Sequence, residues 1–539
     1  MLMFNLSILF YYYDFSVMME WMFLGFSSMS MELIFLFDWV SMMFISVIFL
    51  ISSMIMIYSM GYMEGEKFLK RFIYLVVLFI FSMILMIISP NIISILFGWD
   101  GLGLVSYCLV IYYQNYMSYN SGMVTVLCNR VGDVGILMMV GLMEISGSWN
   151  IWSLSGGKLL LFMMMLAAIS KSAQIPFSTW LPMAMAAPTP VSALVHSSTL
   201  VTAGVYLMIR FNKFLLCSGI SIYLFFLSVL TMLMAGIMAN VENDLKKIIA
   251  LSTLSQLGLM MMILSLGFSM VAFYHLLTHA IFKSLLFMCA GIMIHSMMNN
   301  QDIRLLGNLN EIIPFTMMSF YISNLALCGM PFISGFYSKD LIMELIYSFK
   351  INVFMLILIV ISLMFTVSYS FRLFYYLFFN NFKFYSYYNF SESKMMNMSM
   401  ISLVMMSILI GSMLNWMFFY NLYIIHLDFS VKVITLFVCM MGIFLGVLIM
   451  VISKYFIKSF NLIYFLSSMW FLNYMYLWVY EPANKLGGVM YYVDKVWIEF
   501  MSKNMIMYVI HYKKFMFNYK IYMFGFMFIY FSLVVKLLM

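Results

Sequence analysis

Charge is the scarcest property of this sequence. Only 9% of its 539 residues are Asp, Glu, Lys or Arg, whereas about 25% is usual in soluble globular domains. Apolar residues make up 65% of the chain, and the mean hydropathy is +1.04. This composition excludes a soluble protein of such length, and the sequence predicts a membrane protein with many spans.

Cysteine is scarce as well, and the six cysteines form no Cys-x-x-Cys pair or other metal-ligand cluster. They stand singly at Cys108, Cys128, Cys217, Cys289, Cys328 and Cys439. The chain is therefore expected to hold no metal and no redox cofactor. The net charge of +7 comes from Lys and Arg in short connections, which favours membrane anchoring over nucleic-acid binding.

Long apolar runs fill most of the chain. A helix needs about 20 residues to cross roughly 30 Å of hydrocarbon, and the runs allow fourteen or fifteen such helices without the alternation typical of a barrel. The fold is therefore expected to be an all-α polytopic membrane protein. The clearest spans are 33–59, 72–89, 91–113, 121–143, 158–185, 188–211, 219–239, 247–266, 270–295, 312–348, 351–379, 397–420, 431–452 and 521–538.

A lysine inside an apolar run is the most informative feature. Lys171 stands in the segment AAISKSAQIP, which ends at Pro176, and four of the chain's eight prolines fall between Pro176 and Pro190. A charge at membrane depth costs about 2.5 to 3.5 kcal/mol, and proline removes a backbone hydrogen-bond donor. Such a segment is tolerated where protein or water satisfies the freed groups, so it predicts a broken helix beside a polar path.

The ionisable residues within or near the spans form a short set. His275, His279 and Lys283 stand at i, i+4 and i+8, on one helix face over about 12 Å. Histidine titrates near neutral pH, so this row could pass protons. Two histidines one turn apart could instead bind a metal, and the groups could also simply hydrogen-bond neighbouring helices. The full set is Asp100, Asp133, Glu144, Lys171, His196, His275, His279, Lys283, Lys339 and Asp340.

Two of the carboxylates have candidate basic partners. Asp100 comes two spans before Lys171, and a buried lysine is best tolerated beside a carboxylate, so these two are expected to pair. Asp133 has two interpretations of equal weight, a functional buried acid and a structural partner of Arg130. Glu144 is expected at the membrane edge. The segment from Glu242 to Lys247 is expected to start a helix at the interface.

A second interrupted span, 324–340, again combines a proline, Pro331, with a lysine, Lys339. With five spans in 72–211 and five in 212–380, each broken helix comes fourth, and an odd number of spans inverts the second unit. Inverted repeats with discontinuous helices are a common transporter plan. The two units are therefore expected to be inverted repeats with their buried lysines at equivalent positions.

Five motifs together resemble those of one family. They are Gly98–Gly103 (GWDGLG), Lys171–Pro176 (KSAQIP), Ala187–His196 (APTPVSALVH), His275–Lys283 (HLLTHAIFK) and Gly335–Asp340 (GFYSKD). With them the chain resembles the antiporter-like subunits of respiratory complex I from about residue 33 to 380. The long C-terminal tail resembles that of the largest such subunit, because the related chains 2 and 4 end sooner.

The resemblance implies a proton-translocating membrane subunit without a redox centre. NADH, FMN, iron–sulfur clusters and ubiquinone would be used by other subunits. It implies that Asp100 is the partner of a switching Lys171. The central relay would be Lys283, and the relay toward the outlet would be Lys339, with the histidines connecting them through water. The residues implied to carry protons are Asp100, Lys171, His196, His275, His279, Lys283, Lys339 and Asp340.

The resemblance also implies a location and partners. The location would be the mitochondrial inner membrane, crossed many times, and the partners would be other complex I subunits, especially chain 4 and chain 2. Membrane lipids such as cardiolipin would bind it, and nucleic acid would not. Outside the repeats it implies N-terminal helices in 1–71, C-terminal helices in 381–483, a lateral amphipathic helix in 484–520 and a final anchor in 521–539. The stretch 474–480 could equally be another crossing.

The chain departs from the family pattern in two places. The family usually has Glu where this chain has Asp100, so the carboxylate must reach Lys171 from about one methylene further back. Residues 1–13 would rise only about 20 Å as a helix, so one or two family helices are expected to be reduced or absent. A subunit of an Mrp-type sodium/proton antiporter is the alternative function. A third is a scaffold whose buried charges only hold helices together.

Overall fold

The regular structure of the chain is helical apart from one hairpin, within the residues that the computed structural model describes. These are 2–25, 30–150, 157–381, 383, 392–420, 425–452, 460–499, 503, 506–507 and 519–538. The chain divides into two compact units, Met1–Trp470 and Phe471–Met539. Eleven helices in the described ranges are long and apolar enough to cross a membrane, which confirms the all-α polytopic class.

The N-terminal part differs from the helices expected over 1–71, because it also contains a hairpin. Its elements are α1 (Leu2–Tyr12), the antiparallel strands β1 (Val17–Gly25) and β2 (Ser30–Phe37), and α2 (Trp39–Tyr62). Nine and eight residues are too few for helical crossings, and pairing satisfies backbone groups that a short apolar segment would otherwise leave free. The amide of Asp38 donates to Ser41 Oγ at 2.9 Å and so caps α2.

The first five-helix unit has its broken helix in fourth position, as expected. Its elements are α3 (Leu69–Ile88), α4 (Ile92–Val110), α5 (Tyr116–Met143), α6 (Lys158–Lys171), α7 (Trp180–Met183), α8 (Thr189–Val191) and α9 (Leu200–Arg210). A π-helical segment, Ser192–Thr199, joins α8 to α9. After α6 the chain passes through Ala173, whose φ is +53°, so the helix cannot continue. The short α10 (Asn212–Ser218) follows.

The second five-helix unit has the same order. Its elements are α11 (Ser221–Val241), α12 (Leu245–Ser265), α13 (Ser269–Ser296), the short α14 (Leu309–Ile312), α15 (Pro314–Cys328), α16 (Ser334–Ser348) and α17 (Val353–Phe374), which continues as a π-helical turn, Tyr375–Phe379. Gly329, with φ +81°, ends the first half of the broken helix. The most apolar windows of α12 and α13 are entirely buried, so side chains on these two helices are shielded from lipid.

In each five-helix unit, one isolated pair of extended residues joins the start of the second helix to the segment after the third helix. In the first unit Asn91, before the second helix, pairs with Asn150, after the third helix. In the second unit Asp244 and Asp302 do the same. This correspondence, together with the shared position of the break, supports an internal repeat. The inverted relation of the two units stays a prediction.

The remaining helices lie in the two compact units. The compact unit Met1–Trp470 also contains α18 (Lys394–Phe418), α19 (Phe429–Ile452) and α20 (Phe460–Ser467). The compact unit Phe471–Met539 contains α21 (Leu472–Tyr492), a π-helical continuation (Val493–Ile498) and α22 (Tyr519–Leu538). The expected lateral helix over 484–520 is helical as far as 498, and much of its second half lies outside the described residues.

Candidate functional site

Lys171 lies at the end of α6 and is completely buried. Its Nζ donates to the backbone carbonyl of Trp99 at 3.3 Å and lies 5.0 Å from the centroid of the Trp99 ring. The indole Nε1 of Trp99 in turn donates to Asp133 Oδ1 at 2.8 Å. The helices α4, α5 and α6 thus bring an ammonium, an aromatic face and a carboxylate together.

Asp100 does not form the expected direct ion pair with Lys171. Within the described part of the chain its ion-pair partner is Arg130, at 3.9 Å, and Arg130 lies closer to Asp133, at 3.3 Å. The Asp100 side chain is one-third exposed. For Asp133 the structure shows the pairing with Arg130, and the carboxylate also accepts from the indole beside Lys171, while its functional role stays a prediction.

Two glycines lie at the contacts between these helices. A Cβ added at Gly132 would lie 2.0 Å from Ser170 Oγ, so α5 approaches α6 at a point where only glycine fits, one residue before Asp133. A Cβ added at Gly103 would lie 3.6 Å from Lys171 Nζ. Gly103 follows Trp99 by one helical turn, and this distance is an ordinary van der Waals contact, so the Lys171 ammonium lies against α4 at Gly103.

His196 lies in the π-helical segment between α8 and α9 and is 1% exposed. Neither of its ring nitrogens has a hydrogen-bond partner among the described residues. Its ring is 6.2 Å from that of Trp180. Buried imidazole nitrogens without partners are costly, so this position suits a group that binds water or exchanges protons.

The expected row of basic residues lies along α13, where His275, His279 and Lys283 are all completely buried. Lys283 Nζ donates to Ser252 Oγ on α12. Both ring nitrogens of His279 lack partners in the part of the chain that the structure describes. The row therefore faces polar groups of neighbouring helices, with one member left unsatisfied.

His275 links α13 to two other helices. Its Nε2 lies 3.3 Å from Gln256 Oε1, and its Nδ1 lies 2.9 Å from Ser338 Oγ. An amide oxygen can only accept. The tautomer protonated at Nε2 therefore donates to Gln256, and its Nδ1 accepts from the serine hydroxyl. Ser338 precedes Lys339, which connects the histidine row to the second broken helix.

Lys339 lies on α16, but its Nζ reaches back to donate to the carbonyl of Leu327 at the end of α15. Asp340 accepts from Thr435 Oγ1 at 3.3 Å. A cavity of about 50 Å³ adjoins these groups. Its polar or thiol-bearing lining residues are Cys328, Lys339, Asp340, Thr366, Thr435 and Cys439.

Lys171 and Lys339 lie on opposite sides of the breaks in their helices. Lys171 ends the first half of its helix, whereas Lys339 belongs to the second half and extends its ammonium to the end of the first. Free carbonyls and the negative end of the helix dipole attract cations at such termini. The ammonium of Lys339 thus lies at the C-terminal end of a half-helix, whereas that of Lys171 donates to a carbonyl within α4.

Several residues of the site were missed by sequence reasoning. Trp99 is uncharged, so the sequence did not distinguish it from other aromatic residues in apolar runs. Ser252 and Gln256 stand one turn apart on α12, a polar spacing that could have found them. Tyr369 is buried on α17 with its hydroxyl 3.3 Å from Ser255 Oγ. No spacing in the sequence joins those two residues.

Lys246 is a correction to the expected interface segment. It is 6% exposed and donates to the carbonyl of Ala187 at 3.3 Å. That carbonyl follows the 3-10 turn Ala184–Ala186, so the lysine is drawn inward by a helix terminus of the first unit. Glu144 is exposed at the end of α5, in agreement with a position at the membrane edge.

A metal site at the histidine row would need a third ligand. Across the described residues, no group of three or more His, Cys, Asp or Glu side chains could hold a metal ion.

Three family profiles match the chain. The profile described as "NADH:quinone oxidoreductase/Mrp antiporter, TM" matches residues 89–366. "NADH-Ubiquinone oxidoreductase (complex I), chain 5 N-terminus" matches 21–73, and "NADH dehydrogenase subunit 5 C-terminus" matches 369–539.

Relatives named "NADH-ubiquinone oxidoreductase chain 5" are similar over most of the chain. The Anopheles gambiae protein is 52% identical over 518 residues, which cover 94% of this chain and 89% of that protein. The Locusta migratoria protein is 51% identical over 84% of this chain and 82% of its own length. The Lumbricus terrestris protein is 44% identical over 85% and 81%.

Two solved structures share the fold. The Mrp complex from a Dietzia species has a chain with a TM-score of 0.77 and 23% identity, covering 90% of this chain and 56% of that chain. A membrane-bound sulfane sulfur reductase, described as an archaeal respiratory membrane complex, gives 0.64 and 21% over 76% and 84%. At these identities the likeness is one of fold.

Proposed function

This chain belongs to the NADH-ubiquinone oxidoreductase chain 5 family, and we propose that it translocates protons along a buried line of basic residues that runs from Lys171 to Lys339. It is an antiporter-like, multi-pass membrane subunit of complex I, the proton-pumping NADH:ubiquinone oxidoreductase. The observation that carries the proposal is the burial of three lysines, Lys171, Lys283 and Lys339, at 0%, 0% and 6% exposure. None of the three has a carboxylate within ion-pair distance among the described residues.

Neutral hydrogen-bond partners let these lysines change protonation state. Lys171 and Lys339 donate to backbone carbonyls, and Lys283 donates to a serine hydroxyl. An amine can keep such a bond in its neutral form, whereas a carboxylate partner would hold it protonated. Lys283 and Lys339 also repel each other electrostatically. A proton on one therefore favours release from the other, which gives the line a direction once one end is loaded.

The histidines and hydroxyls fill the spaces between the lysines. With Nε2 protonated, His275 donates to Gln256 and accepts from Ser338. A proton added at Nδ1 gives an imidazolium, and loss of the Nε2 proton to water then leaves the other tautomer. His196 and His279 have free nitrogens that water would satisfy. Asp340 and the cavity beside Lys339 form the outlet end in this proposal, and Asp100 with Asp133 forms the charged surroundings of Lys171.

We also propose the remaining assignments, which the family resemblance supports. NADH, FMN, iron–sulfur clusters and ubiquinone are handled by other subunits, and this chain holds no cofactor. Its partners are other complex I subunits, with chain 4 and chain 2 as the neighbouring antiporter-like chains. Cardiolipin binds its lipid-facing surface, and nucleic acid does not bind. The membrane is the mitochondrial inner membrane.

Replacing Lys171 or Lys283 by Met tests the proposal, because methionine keeps the length of the side chain and removes its proton site. We expect each variant to assemble and to oxidise NADH with an artificial acceptor, while NADH-driven proton uptake in vesicles falls at least about tenfold. A fall of that size corresponds to roughly 1.4 kcal/mol or more on the transfer step. The measurement is the ratio of protons moved to NADH oxidised.

Lys158→Met is the matched control, because Lys158 is exposed at the opposite end of α6 from Lys171. It should leave the ratio unchanged. An assembled Lys171→Met or Lys283→Met complex that pumps at the native ratio would instead support the scaffold interpretation, in which buried charges only hold helices together.

A further inference from the structure

Trp99 contacts both the ammonium of Lys171 and the carboxylate of Asp133. The indole is completely buried. Its ring faces the Lys171 ammonium at 5.0 Å, and its Nε1 donates to Asp133 at 2.8 Å. An aromatic face attracts a cation by about 2 kcal/mol or more when both are desolvated. One side chain thus touches both members of the buried acid–base pair.

Asp133 is the carboxylate to which Lys171 is more strongly coupled. It attracts the Lys171 ammonium more than Asp100 does, and it is 7% exposed as a residue. Asp100 is turned toward Arg130 and has a one-third exposed side chain. Charge in a buried, low-dielectric position acts more strongly than the same charge near the surface.

We propose that Trp99 is a positioning residue that couples Lys171 to Asp133, holding the ammonium on its ring and the carboxylate on its N–H. This inference rests on the proposed function, since it assumes that Lys171 gains and loses a proton during turnover. When Lys171 is protonated, the ring and the carboxylate both stabilise it. When Lys171 is neutral, the N–H still fixes Asp133, so the carboxylate stays in place for the next proton.

The charged and titratable groups around Lys171 all enter this scheme. From α5 they are Asp133 and Arg130, and from α4 Asp100. Arg130 is shared by both carboxylates at 3.3 and 3.9 Å. Arg130 offsets part of the acidic charge. The position of Trp99 against both groups then sets the strength of the attraction between Lys171 and Asp133.

The pH profile of pumping in Trp99→Phe tests the proposal. Phenylalanine keeps an aromatic ring but has a weaker attraction for cations and no N–H. Protonation of Lys171 becomes less favourable in this variant. As the pH is raised, the ratio of protons moved to NADH oxidised should therefore reach half its maximum at a pH about one unit lower than in the native complex. The measurement uses the assembled complex in sealed vesicles, titrated over pH at fixed NADH.

Trp180→Phe is the matched control. Trp180 is also completely buried, and its Nε1 donates at 3.1 Å to the carbonyl of Ser170, the neighbour of Lys171. It contacts neither the ammonium nor a carboxylate in the described contacts. Loss of packing or of one indole hydrogen bond would affect both variants alike. Equal pH midpoints for Trp99→Phe, Trp180→Phe and the native complex would overturn the proposal.

A second pair of variants applies if Trp99→Phe fails to assemble. Asp133→Asn should lower the midpoint more than Asp100→Asn does, because Asp133 is bound by the indole N–H and is the more deeply buried of the two carboxylates. An equal or larger shift in Asp100→Asn would overturn the inference. Lys171→Met distinguishes failure of the proposed function from failure of the inference about Trp99. If this variant pumps normally, the proposed function fails. If it stops pumping while the midpoints of the Trp99, Asp133 and Asp100 variants stay at the native value, only the role of Trp99 fails.

Discussion

Arg372 is a buried charge whose surroundings differ from those of the lysines. It is 6% exposed, and its guanidinium donates to the carbonyls of Asn240 and Glu242, each at 2.7 Å. It also donates to Asn243 Oδ1 at 2.7 Å. These acceptors lie where α11 ends, and a helix end leaves carbonyls unpaired. Arginine stays protonated in proteins, so this residue is a structural cap and not a proton carrier.

Replacing Arg372 by Gln should destabilise the protein without changing the pumping ratio. The variant leaves buried carbonyls unsatisfied, at a cost of about 2 to 4 kcal/mol. We expect less assembled complex and faster thermal inactivation, with a native ratio of protons to NADH in the molecules that assemble. The measurement is the half-life of NADH oxidation at a fixed elevated temperature.

Arg304→Gln is the control for this substitution. Arg304 pairs with Asp302 at 2.6 Å, but its side chain is 60% exposed. Its hydrogen bond lowers the pKa of the Asp302 carboxyl, yet exposed pairs contribute only about 0 to 1 kcal/mol. A half-life as short as that of Arg372→Gln would contradict the view that burial, not charge, makes Arg372 important.

The sequence alone could identify the buried lysines but not all of their contacts. Lys171 and Lys283 stand out because charge in an apolar run needs a reason. Trp99 does not, since an aromatic residue in such a run is ordinary, and only the approach of three helices gives it two polar partners. The expected Asp100 contact was wrong for a similar reason: it depended on side-chain direction, which residue spacing does not supply.

At the scale of elements, the close approach of α5 to α6 sets the geometry around Lys171. A Cβ added at Gly135 would lie 2.9 Å from the carbonyl of Met163, and this neighbour is backbone. Small residues let membrane helices approach closely. The same helix carries Gly141, where an added Cβ meets nothing within 4 Å. Gly135 and Gly141 therefore differ in packing but share a helical backbone.

Gly135→Ala should push α5 away from α6 and weaken both stability and pumping. Overpacking of this kind costs about 1 to 3 kcal/mol, and the displacement also moves Asp133 from Trp99. Gly141→Ala should be neutral or slightly stabilising, because alanine has the higher helix propensity. Thermal inactivation and the pumping ratio measure the two effects. Equal behaviour of the two variants would rule out close packing as the role of Gly135.

The broken helices were predictable as elements, because proline and lysine within one apolar run permit few other structures. Their internal order was not. Lys339 follows the break and Lys171 precedes it. The side chain of Lys339 reaches back to a carbonyl at the end of the first half-helix, whereas Lys171 donates to a carbonyl within α4. The hairpin over Val17–Phe37 was also missed, since two apolar segments shorter than a crossing carry no strong sign of strand or helix.

At the scale of the whole molecule, the two five-helix units meet through polar contacts from the broken helices. Thr231 Oγ1 on α11 donates to Gln174 Oε1 at 2.5 Å, directly after the first break. Lys246 joins α12 to the end of the same broken helix. Changes at the first break can therefore reach the second unit without passing through water. The paired residues before the second and after the third helix make the two units comparable, and superposition by a twofold axis is the test of their inversion.

Assembly decides between complex I and the Mrp-type alternative, because the core fold is common to both. The match of the whole tail, 369–539, to the chain 5 C-terminus predicts that this chain migrates with NADH dehydrogenase activity on a native gel of gently solubilised inner membranes. A chain held by many helices and a long tail should remain bound under mild detergent. Migration in a smaller band without that activity, together with pH-driven sodium flux in the absence of NADH, would favour the antiporter. Co-migration with the activity and loss of pumping in Lys171→Met would together place the buried lysine line within the redox-driven enzyme.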